Sequence, residues 1–298
     1  MMSSSSANRQ PLIEIVCDGG RGYGYGHLRR SAALARELKS RGVAVRFQSL
    51  SSEGSAVQPD VPCDRGASSL VIVDLPYNGD PWVAAAKDLG IPVLTLDSVG
   101  TSICPDLDIS IWDRQSAPAG TPQKIGLDYA IIRHEILHVH ASAHGDGSGV
   151  LVIIGGQDVQ VVGPLIAARL VRMGQNVTLV EGPLTKEQNL SDDRGYLRLR
   201  TPSDLPQRMA ACAWAVTNGG GTMMELMFLG KPVWVVPQTD AEAGLAKLVA
   251  DQRGIMGVGL EGLVLPTLDQ RVATSVCASR LVDGKGLSRI ADEGLLLV

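Results

Sequence analysis

Residues 12–47 decide the fold: LIEIVCDGGRGYGYGHLRRSAALARELKSRGVAVRF. The apolar run from Leu12 to Cys17 has a length typical of one buried strand. After a loop with five glycines, the segment from His27 to Lys39 places apolar residues at helical spacing. Gly42 then occupies a position suited to a left-handed helix end, and Val43 to Phe47 alternates like a second strand. This order predicts a β-α-β unit with a glycine-rich first turn, where open parallel sheets bind ligands.

His27 lies between the glycine loop and the predicted helix. The neighbouring Gly24 and Gly26 allow the backbone to approach a ligand closely, and we predict that they contact substrate. A helix N-terminus presents unpaired N–H groups and a positive potential, which favours neutral imidazole. A neutral histidine suits a general base, so His27 is the predicted catalytic residue. The alternative is a solvent-exposed histidine in a flexible turn.

The glycine spacing argues against two common cofactor-binding loops. Gly20, Gly22 and Gly24 are each two residues apart, and no third glycine follows at the spacing of the dinucleotide motif. The loop also lacks the Lys-Ser/Thr ending of a phosphate-binding P-loop. The sequence therefore disfavours NAD and ATP, and we expect no cofactor.

Length and composition restrict the class of protein. A chain of 298 residues is expected to form two domains of about 150 residues each. The net charge of −4 provides no basic footprint, so nucleic acid is not an expected partner. No apolar run approaches the ~20 residues of a membrane span, and the first residues lack the apolar core of a signal peptide. The five cysteines show no CxxC spacing, and we expect a cytoplasmic protein without a membrane partner.

Two further apolar runs in the first half end in an acid. SLVIVD ends at Asp74, with Tyr77 three residues later, and IPVLTLD ends at Asp97. Parallel strands meet ligands at their carboxyl ends, so Asp74, Tyr77 and Asp97 are predicted substrate-binding residues. The alternative is that these aspartates cap turns or helices.

The second half repeats the α/β pattern with two glycine turns. The first turn, Gly155-Gly156, follows the apolar run VLVII. The second is contained in residues 217–226, TNGGGTMMEL, where a strand enters a triple-glycine turn that opens a helix. Backbone N–H groups at such a turn can hold a diphosphate, and an acid one helical turn later can accept ribose hydroxyls. The alternative is a capping box formed within that helix. The predicted nucleotide-binding residues are Gly155, Gly156, Gly220, Gly221, Thr222, Met223 and Glu225.

Two of these motifs carry a resemblance to a known family. Residues 24–30, GYGHLRR, and the Gly-x-Thr-x-x-Glu segment at residues 220–225 resemble the UDP-sugar hydrolases of pseudaminic acid biosynthesis. Those enzymes are similar in fold to the peptidoglycan N-acetylglucosaminyltransferase. The resemblance implies an α/β protein with two Rossmann-like domains, 1–145 and 146–298, in a GT-B-type arrangement with an interdomain cleft. Two positions depart from the family: Ser98 replaces the second acid of a pair, and residues 238–244 lack an Asn-Gln pair.

The resemblance also implies a reaction. His27 would activate a water molecule that attacks the anomeric carbon of a UDP-linked amino or deoxy sugar, releasing UDP and free sugar without a metal. A glycosyltransferase on the same fold would use an acceptor hydroxyl in place of water. A non-catalytic protein that binds nucleotide sugars is a third possibility. The sugar and the oligomeric state are not determined by the sequence.

A zinc hydrolase is the remote alternative. Residues 134–138, HEILH, match the HExxH motif, and His144 lies where a third metal ligand would be expected. Ala141 occupies the place of the turn glycine in such enzymes, and residues 145–149 follow at once as a glycine-rich linker. We therefore predict no metal site.

Overall fold

The computed structural model describes residues 11–20, 23–50, 68–115, 117–139, 147–156, 158, 160–185 and 195–298. These residues form two six-stranded sheets, and all strand pairings within the sheets are parallel. Helices pack on both faces of each sheet, which explains why the strands read as nearly continuous apolar runs.

The first sheet has the order β2-β1-β3-β4-β5-β6. Its strands are β1 (Leu12–Cys17), β2 (Ala44–Ser49), β3 (Leu70–Asp74), β4 (Val93–Leu96), β5 (Leu107–Ser110) and β6 (Gln123–Ile125). Helix α1 (Gly26–Ser40) joins β1 to β2, and α2 (Asp80–Asp88) joins β3 to β4. Gly42 has a φ angle of +80°, which confirms the predicted left-handed end of the first helix.

The second sheet has the order β12-β11-β10-β7-β8-β9. Its strands are β7 (Val150–Ile153), β8 (Val177–Glu181), β9 (Leu197–Arg200), β10 (Trp214–Thr217), β11 (Val233–Val235) and β12 (Gly257–Val258). Between the sheets lie a 3-10 helix (Leu127–Tyr129) and α3 (His134–Leu137). The helices of this half are α4 (Val162–Arg172), α5 (Leu205–Ala211), α6 (Gly221–Phe228), α7 (Asp240–Asp251) and α8 (Leu268–Leu281).

Each sheet contains one point at which the strand order reverses. In the first sheet β2 lies on one side of β1 and β3 on the other, so the switch point lies between β1 and β3. In the second sheet β8 and β10 flank β7 in the same manner, and the switch point lies between β7 and β10. Open parallel sheets bind ligands at the carboxyl ends of the strands at such points. The glycine turns of the sequence follow β1, β7 and β10, and they therefore lie where ligands are expected.

The last helix, α9 (Gly286–Leu296), returns to the first sheet. Its buried Leu287 and Ile290 belong to the core that α1 forms over that sheet. Arg41, just after α1, binds Asp292 and Ser288 on α9. The chain from residue 146 onward thus contributes to both halves, and the predicted division at residue 145 stays a prediction.

Within the described residues, none of the helices has the length and apolar character needed to cross a membrane.

A buried carboxylate joins β4 to β5 beneath the predicted site. Asp108 on β5 is 1% exposed and accepts hydrogen bonds from the Thr95 hydroxyl at 2.6 Å and the Ser98 hydroxyl at 2.7 Å. The Ser98 backbone N–H and the Ser110 hydroxyl also donate to it. Ser98, at the position where the resembling family has an acid, is therefore a donor to a buried acid.

We predict that two substitutions at Ser98 destabilise the protein to different extents. Ser98→Ala should lower the free energy of unfolding by about 1 kcal/mol, because one buried hydrogen bond is lost. Ser98→Asp should cost about 2 kcal/mol more, because two buried carboxylates would then face each other. Urea denaturation of both variants tests this, and an aspartate variant as stable as the wild type would contradict it.

Candidate functional site

The glycine turns of the two halves lie close to each other. A Cβ atom at Gly156 would lie 3.4 Å from the backbone nitrogen of Tyr25, the residue before α1. A Cβ atom at Gly155 would lie 3.0 Å from the Asn218 amide, just before the triple-glycine turn. The starts of α1 and α6 are therefore connected through the Gly155-Gly156 turn, in which Gly155 has a φ angle of +58° and little room for a side chain.

Asp74 is the centre of the first half of the site. Its carboxylate is fully buried and lies 2.6 Å from the Nδ1 atom of His27. The Ser31 hydroxyl donates to it at 2.6 Å, and the Arg30 Nε donates at 2.9 Å. His27, Arg30 and Ser31 lie at positions i, i+3 and i+4 of α1, which places them on one face of that helix. The structure thus brings His27 and Asp74 together, as expected for one site.

The charge on Asp74 determines how His27 is held. Burial alone would raise the pKa of Asp74, but the charge of Arg30 and the hydrogen bonds from His27 and Arg30 outweigh it and hold the pKa below its usual range. An ionised carboxylate can only accept hydrogen bonds, so Nδ1 of His27 carries the proton that it donates. In the tautomer with the proton on Nδ1, the lone pair of the imidazole lies on Nε2. His27 has 19% of its side chain exposed, and it can present Nε2 as a base.

Asp97 lies beside this cluster in a strained conformation. It is 2% exposed, its φ angle is +51°, and one of its oxygens binds Arg30. Within the described part of the chain, the other oxygen is buried without a hydrogen-bond partner. Burial would raise the pKa of Asp97, but Arg30 and Arg114 hold it below the usual range. Strained residues with unused polar atoms are typical of ligand sites.

Tyr77 lies at the opposite edge of the glycine loop. Its hydroxyl donates a hydrogen bond of 2.7 Å to Asp18, the residue that follows β1. Asp18 also accepts from the N–H of Gly19. Burial and the hydrogen bond to Asp18 raise the pKa of Tyr77. Tyr77 therefore ties the loop after β3 to the loop after β1, and its predicted contact with substrate stays a prediction.

In the second half, helices α4 and α6 differ in how the N–H groups at their N-termini are satisfied. The N–H groups of Val162 and Gly163 at the start of α4 donate to the Asp158 carboxylate at 2.9 and 2.7 Å. Helix α6 begins after Gly220, and no side chain caps it. The N-terminus of α6 can therefore accept an anion, whereas that of α4 is already occupied by a carboxylate.

Glu225 has a partner that the sequence did not predict. Its side chain is 5% exposed and forms two hydrogen bonds with Arg133, of 2.5 and 2.7 Å. The alternative of a capping box between Thr222 and Glu225 is wrong, because the N-cap of α6 is Gly220 and Glu225 binds Arg133 instead. Met223 points into the core, and its N–H donates to the carbonyl of Gly220 at 3.0 Å.

Glu242 organises the loops around this helix start. It accepts hydrogen bonds from the Asn218 amide and from the N–H of Gln238. Residues 238–244, where the resembling family has an Asn-Gln pair, therefore contain an acid that braces the triple-glycine turn. Next to it, the side chain of Trp112 packs so closely on Gly244 that any side chain there would collide with the ring.

The HExxH segment has a different environment. His134 begins the short helix α3, and Glu135 pairs with Arg36 at 2.7 Å. His138 is exposed after the last residue of that helix. The structure shows no group of three or more metal-binding side chains within the residues it describes, and His144 lies outside them.

Sequence reasoning missed several residues of the site. Arg30 and Ser31 had a local signal, since they follow His27 at helical spacing and face a strand that ends in an acid. Arg133 had no such signal, because its partner Glu225 is 92 residues away. Trp112 and Arg114 follow β5 at the carboxyl edge of the sheet, with the Arg114 guanidinium 5.7 Å from the Trp112 ring centre.

Comparisons with known proteins agree with this architecture. No protein-family model matches the chain. The chain is 22% identical over 329 residues to the spore coat polysaccharide biosynthesis protein SpsG of Bacillus subtilis (strain 168), covering 93% of this chain and 96% of that protein.

Solved structures of other proteins are similar to this chain over almost its whole length. MurG of Acinetobacter baumannii superposes with a TM-score of 0.66 and 14% identity, covering 96% of this chain and 99% of that one. The glycosyltransferase SsfS6 of Streptomyces sp. SF2575, complexed with thymidine diphosphate, has a TM-score of 0.62 and 14% identity over 97% and 99% of the chains. These similarities confirm the α/β fold with two Rossmann-like domains in the GT-B-type arrangement.

We predict that Asp74→Asn destabilises the protein in a pH-dependent manner. At neutral pH the variant should lose about 3 kcal/mol, because Arg30 loses a buried counter-ion. The ionised Asp74 stabilises the folded state above its unfolded-state pKa of about 3.9, and this contribution is lost as the pH falls below that value. The difference between variant and wild type should therefore shrink below about pH 4.

Urea denaturation between pH 7 and pH 3 measures this difference. Asp204→Asn is the control, because Asp204 forms an exposed ion pair with Arg208 four residues later, and water and salt screen such a pair so that its loss should change the stability little. A destabilisation by Asp74→Asn that does not depend on pH would contradict the assignment of its charge.

Proposed function

We propose that the protein is an enzyme that binds a nucleoside-diphosphate sugar in the cleft and cleaves the bond at the anomeric carbon. The observation that carries this proposal is the His27–Asp74 pair at one switch point, connected through Gly156 to the uncapped start of α6 at the other. A base and an anion-binding helix end, one from each half, are what a displacement of a nucleoside diphosphate requires.

The geometry supports a specific division of roles. The diphosphate would be held by the backbone of Gly220, Gly221 and Thr222, where the helix dipole stabilises the charge that develops on the leaving group. Glu225 would accept ribose hydroxyls with the lone pairs that Arg133 leaves unused. His27, with its Nδ1–H donated to Asp74, would remove a proton from the nucleophile through Nε2.

Hydrolysis is our first hypothesis for the nucleophile. The resemblance at residues 24–30 and 220–225 favours a UDP-linked amino or deoxy sugar, with water as the nucleophile and UDP and free sugar as products. Asp97 and Tyr77 would contact the sugar, together with Gly24 and Gly26. This reaction needs no metal, and we propose that it takes place in the cytoplasm.

Transfer to an acceptor is the second hypothesis, and the comparisons favour it. MurG and SsfS6 share the fold, and SsfS6 is a glycosyltransferase with a bound nucleoside diphosphate. SpsG, named for spore coat polysaccharide biosynthesis, indicates carbohydrate biosynthesis as the setting. Both hypotheses use the same base and the same leaving group, and they differ only in the hydroxyl that attacks.

The decisive experiment measures release of UDP from a panel of UDP-sugars, with thymidine-diphosphate sugars as a second set. Hydrolysis predicts release without an acceptor, whereas transfer predicts release only when a cell extract or a defined acceptor is added. Binding without release under either condition would indicate a protein that binds nucleotide sugars without catalysis.

We predict that His27→Ala retains nucleotide binding and loses turnover by about 10²–10⁴-fold, the usual contribution of a general base. His138→Ala is the matched control, because His138 is exposed just after α3 and only a zinc hydrolase would need it. Unchanged turnover in His27→Ala would contradict the assignment of His27 as the general base. Loss of turnover in His138→Ala, with metal in the purified protein, would support the zinc alternative.

We predict that Glu225→Gln weakens UDP binding about ten- to hundredfold, because a charged acceptor of hydrogen bonds is worth about 1.5–3 kcal/mol. The amide keeps the shape of the side chain but binds Arg133 less strongly, so thermal unfolding must be measured alongside calorimetry. Glu261→Gln, at an exposed position, is the control. A dissociation constant for UDP equal to that of the control would contradict the placement of the ribose.

A further inference from the structure

We propose that Arg133 positions the Glu225 carboxylate for a ribose, and that this pair makes the protein select ribonucleotides over 2′-deoxyribonucleotides. This inference rests on the proposed function and adds to it a positioning residue and a class of nucleoside. Arg133 is absent from the predicted site residues. Its role follows from the way in which the segment between the two sheets holds it against α6.

Apolar contacts fix the backbone that carries Arg133. Its neighbours Ile132 and Ile136 are completely buried, and they belong to the same core as the buried Met223 and Met227 of α6. The carbonyl oxygen of Arg133 also accepts a hydrogen bond from the N–H of Ile136 at 2.9 Å, where α3 begins. The side chain of Arg133 therefore extends toward α6 from a backbone position that is held on both sides.

The contact between Arg133 and Glu225 has two points. Nε of Arg133 donates to one carboxylate oxygen at 2.5 Å, and Nη2 donates to the other at 2.7 Å. A planar guanidinium that binds both oxygens fixes the plane of the carboxylate, which a single contact would leave free to rotate. The nearby Glu135 does not compete for Arg133, because it pairs with Arg36. The orientation of Glu225 is thus determined by Arg133.

The pair leaves acceptor positions on Glu225. Each carboxylate oxygen can accept two hydrogen bonds, and Arg133 uses one on each oxygen. One position therefore remains on each oxygen, in the plane that the guanidinium sets. Two adjacent hydroxyl groups of a ribose can donate to these two positions, whereas a 2′-deoxyribose has only one of the two donors.

The position of Glu225 on α6 places the ribose next to the diphosphate. Glu225 lies four residues after Gly221, the first residue of α6, and therefore on the same face of the helix one turn later. A nucleotide whose diphosphate meets the start of α6 would bring its ribose to Glu225. The same contact predicts that the protein prefers sugars linked to a ribonucleoside diphosphate over those linked to thymidine diphosphate, which lacks the 2′-hydroxyl.

Calorimetry with UDP and 2′-deoxyuridine diphosphate tests this in the intact protein, because the two ligands differ in a single hydroxyl. The wild type should bind UDP about ten- to hundredfold more tightly, as expected for a hydrogen bond to a charged group. Arg133→Lys keeps the charge and loses the two-point contact, so the ratio of the two affinities should fall below about threefold.

Arg289→Lys is the matched control. Arg289 also forms a two-point contact with a carboxylate, that of Asp283, at 2.8 and 2.6 Å. The residue after Asp283, Gly284, packs on Phe228 at the opposite end of α6 from the proposed nucleotide site. This variant should keep the ratio of the wild type.

A double variant separates positioning from direct contact. Glu225→Gln should reduce the ratio as Arg133→Lys does. Glu225→Gln combined with Arg133→Gln should bind UDP as Glu225→Gln alone does, because Arg133 acts only through Glu225. The double variant leaves no buried charge without a partner, so it decides the matter even if Arg133→Lys fails to fold. A further loss of UDP affinity in the double variant would show that Arg133 contacts the nucleotide itself, and would overturn the inference.

The outcomes separate this inference from the proposed function. A wild-type protein that binds UDP and its 2′-deoxy analogue equally contradicts the inference and leaves cleavage of a nucleoside-diphosphate sugar standing. Equal weakening of both ligands by Arg133→Lys, with the ratio unchanged, also overturns it, because the ion pair would then only stabilise the fold. If the wild type binds neither UDP nor thymidine diphosphate, the proposed function falls and the inference falls with it.

Discussion

The structure depends on one buried charge. Asp74 ends β3 at the switch point of the first sheet, and a carboxylate can be buried there only if it is paired. All three partners come from α1, so the pairing fixes the rotation and position of that helix over the sheet. Arg30 extends the network to Asp97 and holds the loop after β4 in its left-handed conformation. Within the part of the chain that the structure describes, the same contacts leave the Nε2 atom of His27 without a hydrogen-bond partner.

The two halves have the same arrangement of strands and switch point, but their helix N-termini differ in whether a side chain occupies them. Each half brings glycine turns to the point where its strand order reverses. Helix α4 has its first N–H groups occupied by Asp158, whereas α1 and α6 begin without a side-chain cap. Positive potential is therefore concentrated at the two helix ends that Gly155 and Gly156 bring together. A ligand with several negative charges would stabilise this arrangement, because it would accept hydrogen bonds from the uncapped N–H groups.

At both positions where the chain departs from the resembling family, the side chains form contacts within the protein. Ser98 donates to Asp108 and cannot serve as a second acid in the cleft. Glu242, near the place of the absent Asn-Gln pair, holds Asn218 and Gln238. One of the two positions is thus bound to Asp108 beneath the first half of the site, and the other lies at the triple-glycine turn of the second half.

The sequence by itself determined the features that depend on neighbours along the chain. Apolar runs predicted the central strands, because strands covered on both faces need continuous apolar residues. Helical spacing placed α1, and Gly42 ended it, because turn chemistry is local. Only the tertiary structure decided the rest. The order of strands brought Asp74 to Arg30 across 44 residues and Glu225 to Arg133 across 92. It also returned α9 to the first core and placed Glu225 in an ion pair with Arg133, which excludes the alternative of a capping box with Thr222. These outcomes depend on which surfaces meet when the sheets pack, and no local pattern encodes that.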